Sequence, residues 1–79
     1  MYVHIGENVS IPIAAIITMV QVDKDLKSPI AHYAGEVLNM VPASDIKTYI
    51  ITDDYVYGSG ISLKTLNKRI HEFYSIMKR

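Results

Sequence analysis

The stretch that most limits how this chain can fold is "IITMVQV", Ile16 to Val22. Ile16, Val20 and Val22 fall on one side of an extended strand, and Ile17 and Met19 on the other. A strand apolar on both faces is one that is covered twice. The chain has only 79 residues, which is one domain with little interior. A domain of that size buries roughly 60–65% of the surface its unfolded chain exposes and is marginal without a further constraint. It contains no cysteine, so disulfides and thiolate metal sites are excluded. With hydrophobic residues at 49%, the expected second cover is another subunit.

Around that strand the pattern reads as antiparallel hairpins and two helices. Tyr2 and His4 alternate with Val3 and Ile5, Gly6-Glu7-Asn8 makes a turn, and Val9-Ser10-Ile11 returns until Pro12 ends the ladder. Asp23 to Lys27 is a charged loop. Ser28-Pro29 opens a helix carrying Ile30, Tyr33, Ala34, Val37, Leu38 and Val41 at helical spacing, ended by Pro42. Lys47 to Thr52 is a strand, Asp53-Asp54 a turn, and Tyr55-Val56-Tyr57 the paired strand. Gly58-Ser59-Gly60 breaks the pattern before a last helix capped by Ser62, with Ile61 and Leu66 as a hydrophobic staple. Leu63, Leu66, Ile70, Phe73 and Met77 form its apolar seam, opposite Lys64, Lys68, His71, Ser75 and Lys78. The expected fold class is a small single α+β domain over residues 1–79 that assembles into a homo-oligomer.

The chemistry-bearing residues argue against catalysis. His4, His32 and His71 lie on three elements without a metal-ligand spacing. Asp23-Lys24-Asp25 lacks the later glycine and acidic residue of a calcium loop. The Gly58-Ser59-Gly60 turn lacks the phosphate-loop lysine and the dinucleotide fingerprint. No nucleophile-base or paired-carboxylate arrangement is apparent, so the expectation is a non-enzyme without cofactor, metal or small-molecule substrate. The longest apolar run, Ile11 to Ile17, holds seven residues and a proline, against about 20 for a membrane span. No basic leader precedes it, and the expected location is the cytoplasm.

Formal net charge is zero, yet unevenly spread. Residues 1–45 carry two lysines against five acids, −3, and residues 46–79 carry six cations against three acids, +3. Lys64, Lys68, Arg69, Lys78 and Arg79 against Glu72 leave the last helix at +4. Cations near a helix C-terminus complement its dipole, which accounts for Lys78 and Arg79. Lys64, in the first turn, is mildly unfavourable there, so the other reading is a basic strip facing phosphate or an acidic partner. Six tyrosines offer either base stacking or subunit contact. The hairpin bearing Tyr49, Tyr55 and Tyr57 has only Lys47 beside it, which favours core and interface.

In Met1-Tyr2-Val3-His4-Ile5-Gly6, in Ser28-Pro29-Ile30 and in Thr65-Leu66-Asn67-Lys68-Arg69, in that order over essentially its whole length, the chain resembles the extracellular matrix regulatory protein family, the RemA/RemB-like proteins of bacteria. It looks closest to the RemB branch. The resemblance implies a cytoplasmic, ring-forming homo-oligomer that regulates matrix (biofilm) genes as a DNA-binding transcription regulator. RemA-like members use arginines where this chain has Ile13, Ala14 and Ala15, and again near Asp45, Ile46 and Lys47, of which only Lys47 is basic. The candidate DNA-binding residues are therefore Lys47, Lys64, Lys68 and Arg69. The alternative is a protein-interaction scaffold of the same fold that does not contact DNA.

Overall fold

The computed structural model describes residues 1–22 and 36–77, with Met77 described through its backbone. Six strands, two 3-10 turns and one α-helix form two sheets and a helix, an α+β domain. The strands β1 (Tyr2–Gly6) and β2 (Val9–Pro12) pair as an antiparallel hairpin. At the turn Gly6 takes φ 141° and Glu7 φ 45°. The first needs glycine. The second is braced by His4, whose Nε2 lies 2.6 Å from the Glu7 carbonyl oxygen. Ile5 is a bulge residue with no partner in the β1–β2 register. Pro12 has no N–H to give, and the next donor, Ile13 N–H, reaches the Met1 carbonyl at 2.9 Å before a 3-10 turn, Ile13–Ala15, redirects the chain.

The second sheet holds β3 (Ile16–Gln21), β4 (Val37–Asn39), β5 (Thr48–Thr52) and β6 (Val56–Ser59) in the order β3-β5-β6-β4. The β5–β6 hairpin turns at Asp53-Asp54 as its sequence predicts. Thr52 closes it, its hydroxyl donating to the Tyr55 carbonyl at 2.7 Å and accepting the Tyr55 N–H at 3.1 Å. The strand β4 corrects the sequence reading: Val37 and Leu38, expected on a helix, lie in a strand parallel to β6, Val37 opposite Val56. Val41 falls in the bend after it. The earlier part of that expected helix, Ser28 to Ala34, lies outside the described residues, as does the loop from Asp23 to Lys27. Among the described residues there is one α-helix rather than two. Gly58 and Ser59 also belong to β6 instead of breaking it. At Gly58 the side chains of Asn39 and Ile46 lie so close that an added Cβ would meet Asn39 Oδ1 at 2.5 Å and Ile46 Cδ1 at 2.8 Å.

The helix α1 (Leu63–Met77) starts as expected. Ser62 accepts the Thr65 N–H at 3.2 Å, the N-cap bond, and its carbonyl accepts the Leu66 N–H at 3.0 Å. The core joins all three layers: Val3, Ile5 and Ile11 from the hairpin, Ile50 from β5 and Leu66 from the helix are buried together. Ile61, Ile70 and Phe73 pack around them, so the staple and the seam from Leu66 to Phe73 do what their spacing implies, whereas Leu63, expected at the head of the seam, lines a surface groove instead. Ser59 binds the two sheets: its hydroxyl donates to the bulged Ile5 carbonyl and accepts the Ile61 N–H at 3.0 Å. Thr48, also fully buried, donates to the Ile61 carbonyl at 2.8 Å.

On β3, an edge strand, a bulge between Ile16 and Thr18 shifts the alternation, so Ile16 and Met19, expected on opposite faces, both pack against the core. No residue of β3 is buried within this chain, and Ile17 stays 61% exposed.

Candidate nucleic-acid interface

Three of the four cations expected at a DNA-binding surface lie on one side of the domain. Lys64 and Lys68 are one helical turn apart on α1, both exposed. Their positions follow from the seam: with Leu66, Ile70 and Phe73 turned into the core, residues 64, 68, 71 and 75 must point outward. Lys47, just ahead of β5, is exposed too. Its backbone is pinned on both sides, its N–H to the Ser59 carbonyl at 2.8 Å and its carbonyl to the Val22 N–H at 2.9 Å. Lys47 and Lys64 then line one shallow groove, shared with Gln21, Val22, Ser62 and Leu63, at the start of the helix. Lys64 and Lys68 line the next groove along the helix, together with Asn67, Ile70, His71 and Tyr74. The three ammonium groups thus sit along two adjoining grooves, and the first also holds the helix N-terminus, whose dipole adds positive potential.

Arg69 does not join them. Five residues after Lys64, it lies roughly 140° further round the helix. Its Nη1 donates to the His4 carbonyl at 2.9 Å and stands 3.5 Å from His4 Nδ1. It borders a separate groove with Val3, His4, Glu72, Phe73 and Ile76. There it clamps the helix to the first strand, and it is half-buried. Lys78 and Arg79 lie outside the described residues.

His4 is on β1 and His71 on α1, while His32 lies outside the described residues. Among the described residues no cluster of three or more His, Cys, Asp or Glu side chains is placed to hold a metal ion. No described helix is long and apolar enough to cross a membrane. The tyrosines divide. Tyr57 packs against the core, with the Tyr55 ring edge-on to it at 6.1 Å between centroids, whereas Tyr2 and Tyr74 are 62% and 50% exposed. Tyr33 is outside the described residues. Asn67 was not singled out by charge or spacing, yet it lines the same groove as the two lysines. A helical-wheel count places it about 60° to one side of Lys64, away from Lys68.

No protein-family model matches this chain, and no curated protein matches it either.

Proposed function

We propose that the protein is an oligomeric DNA-binding transcription regulator, of the kind implied by its resemblance to the bacterial regulators of extracellular matrix genes. The observation that carries the reading is the alignment of Lys47, Lys64 and Lys68 along two adjoining exposed grooves. Three lysines on a chain of zero net charge make a weak site alone. A cyclic assembly repeats it, so modest contacts act together. The open face of β3, with Ile17 exposed, supplies an apolar surface for such an assembly. Arg69, held on the first strand, takes no direct part in this reading.

Each phosphate neutralised by a lysine releases counterions, and a ring making about six such contacts loses on the order of a thousandfold in affinity between roughly 50 and 200 mM salt. Light scattering should give a mass several times 8.9 kDa. Lys64→Glu with Lys68→Glu should abolish DNA binding and leave that mass unchanged, since both side chains point away from the seam. A second reading, an interaction scaffold without DNA contact, is favoured by the exposure of Tyr2, Ile17 and Ile76, each above 60%. An intact oligomer with no affinity for DNA at about 50 mM salt, where backbone contacts are strong, would select it.

A further inference from the structure

The groove shared by Lys64 and Lys68 is not built of charge alone. Its other residues are Asn67, Ile70, His71 and Tyr74. It sets two ammonium groups beside a carboxamide and apolar side chains, a composition that can meet base edges as well as phosphates. On the helical wheel Lys64 and Lys68 lie within about 40° of each other, and Asn67 and Tyr74 lie roughly 60–80° to one side of Lys64, toward Ile70. The exposed arc therefore grades from ammonium groups at one margin to an amide and an apolar floor at the other. Asn67 is exposed and Tyr74 is half-exposed, while Ile70 is partly buried beneath them.

An α-helix fits the major groove of B-DNA, where each base pair shows its own pattern of donors, acceptors and methyl groups. Adenine presents an acceptor at N7 beside a donor at N6, and a carboxamide offers the complementary donor and acceptor in one plane. The thymine paired with it carries the C5 methyl group, an apolar target. We infer that Asn67 reads an adenine edge in the major groove of duplex DNA, with Ile70 and Tyr74 against the methyl of the paired thymine, an inference that rests on the DNA-binding reading above. Lys64 and Lys68 hold the adjacent phosphate backbone and set the depth of the helix, and Lys47 holds the same strand beyond the N-terminus of the helix. Positioning by lysines and reading by an amide are separate functions of one face.

The test is selection from a duplex library with a randomised centre, using the full chain and then its Asn67→Ala variant. Alanine is the better helix former at an exposed helical position, so the variant keeps the fold. The wild type should enrich adenine at one position per half-turn of contact, with a preference of roughly 5- to 100-fold over the other bases, the range of one bidentate pair. Asn67→Ala should flatten that position while the salt dependence of binding is unchanged, and Asn67→Gln should restore part of the preference. Binding with a normal salt dependence and no enriched adenine, or an adenine preference that survives Asn67→Ala, overturns the inference and leaves the DNA-binding reading standing. Absence of any binding by the wild type overturns both.

Discussion

Replacing Ser59 by alanine removes one oxygen and strands two backbone groups. The hydroxyl donates to the Ile5 carbonyl and accepts the Ile61 N–H, and both Ser59 and Ile5 are completely buried. Ile5 is the bulge residue of the first hairpin, so the β1–β2 register gives it no partner strand residue to fall back on. Each backbone group left unpaired in such a place costs about 1–3 kcal/mol. Partial relaxation at the Ile61 side, near the helix start, brings the combined expectation to about 2–4 kcal/mol. For a domain of this size each kcal/mol shifts Tm by roughly 4–8 °C, so Ser59→Ala should melt on the order of 10–25 °C below the wild type. Paired urea and thermal unfolding curves measure it, and Ser10→Ala, on the exposed side of β2, is the control expected within about 0.5 kcal/mol of wild type. Amide exchange adds a local reading: the Ile61 N–H should lose protection beyond the global change. A Ser59→Ala protein within about 0.5 kcal/mol of wild type, at unchanged urea dependence, would refute the assignment of this hydroxyl as the tie between the sheets.

Two further outcomes follow from the helix. Ser62→Ala deletes the bond to the Thr65 N–H and should cost about 1 kcal/mol, read by urea unfolding, with fraying confined to the first turn of α1 in amide exchange. Arg69→Ala should lower stability by about 1 kcal/mol through the lost bond to the His4 carbonyl, while leaving the salt slope of DNA binding as it is. A drop of one contact in that slope would return Arg69 to the DNA surface.

The elements that were legible in the sequence are those whose signals are local. The turn at Gly6-Glu7-Asn8, the hairpin at Asp53-Asp54, the Ser62 cap and the seam from Leu66 to Phe73 each announce themselves within a few residues. The strand at Val37–Asn39 does not. Three apolar-rich residues satisfy a helical period as readily as an extended one, and their partner is Val56 to Gly58, about twenty positions on in a parallel pairing that no hairpin turn signals. The site divides in the same way. That Lys64 and Lys68 share a face is a property of the helical repeat, and the same repeat, applied to Arg69, turns it toward the first strand. The approach of Lys47 to Lys64 depends on how the second sheet meets the start of α1, which periodicity cannot express. Nor did Ser59 stand out, because a serine between two glycines looks like a turn until the bulge opposite it is known.

The tie between Ile5 and Ser59 spans 54 positions and has a consequence for the order in which the molecule is made. A β-hairpin closes in microseconds, so β1 and β2 can pair while most of the chain is still absent. Such a hairpin has nowhere to dock: Val3, Ile5 and Ile11 wait for Ile50 and Leu66, and the bulged carbonyl waits for a hydroxyl encoded three-quarters of the way along. β3 waits as well, since its only partner among the described strands is β5. A ribosome-bound chain halted before Thr48 would present a bare apolar strand and a loose hairpin to its surroundings. The commitment to fold, and with it the pairing of one edge of Ile16 to Gln21, arrives only when the second hairpin has emerged.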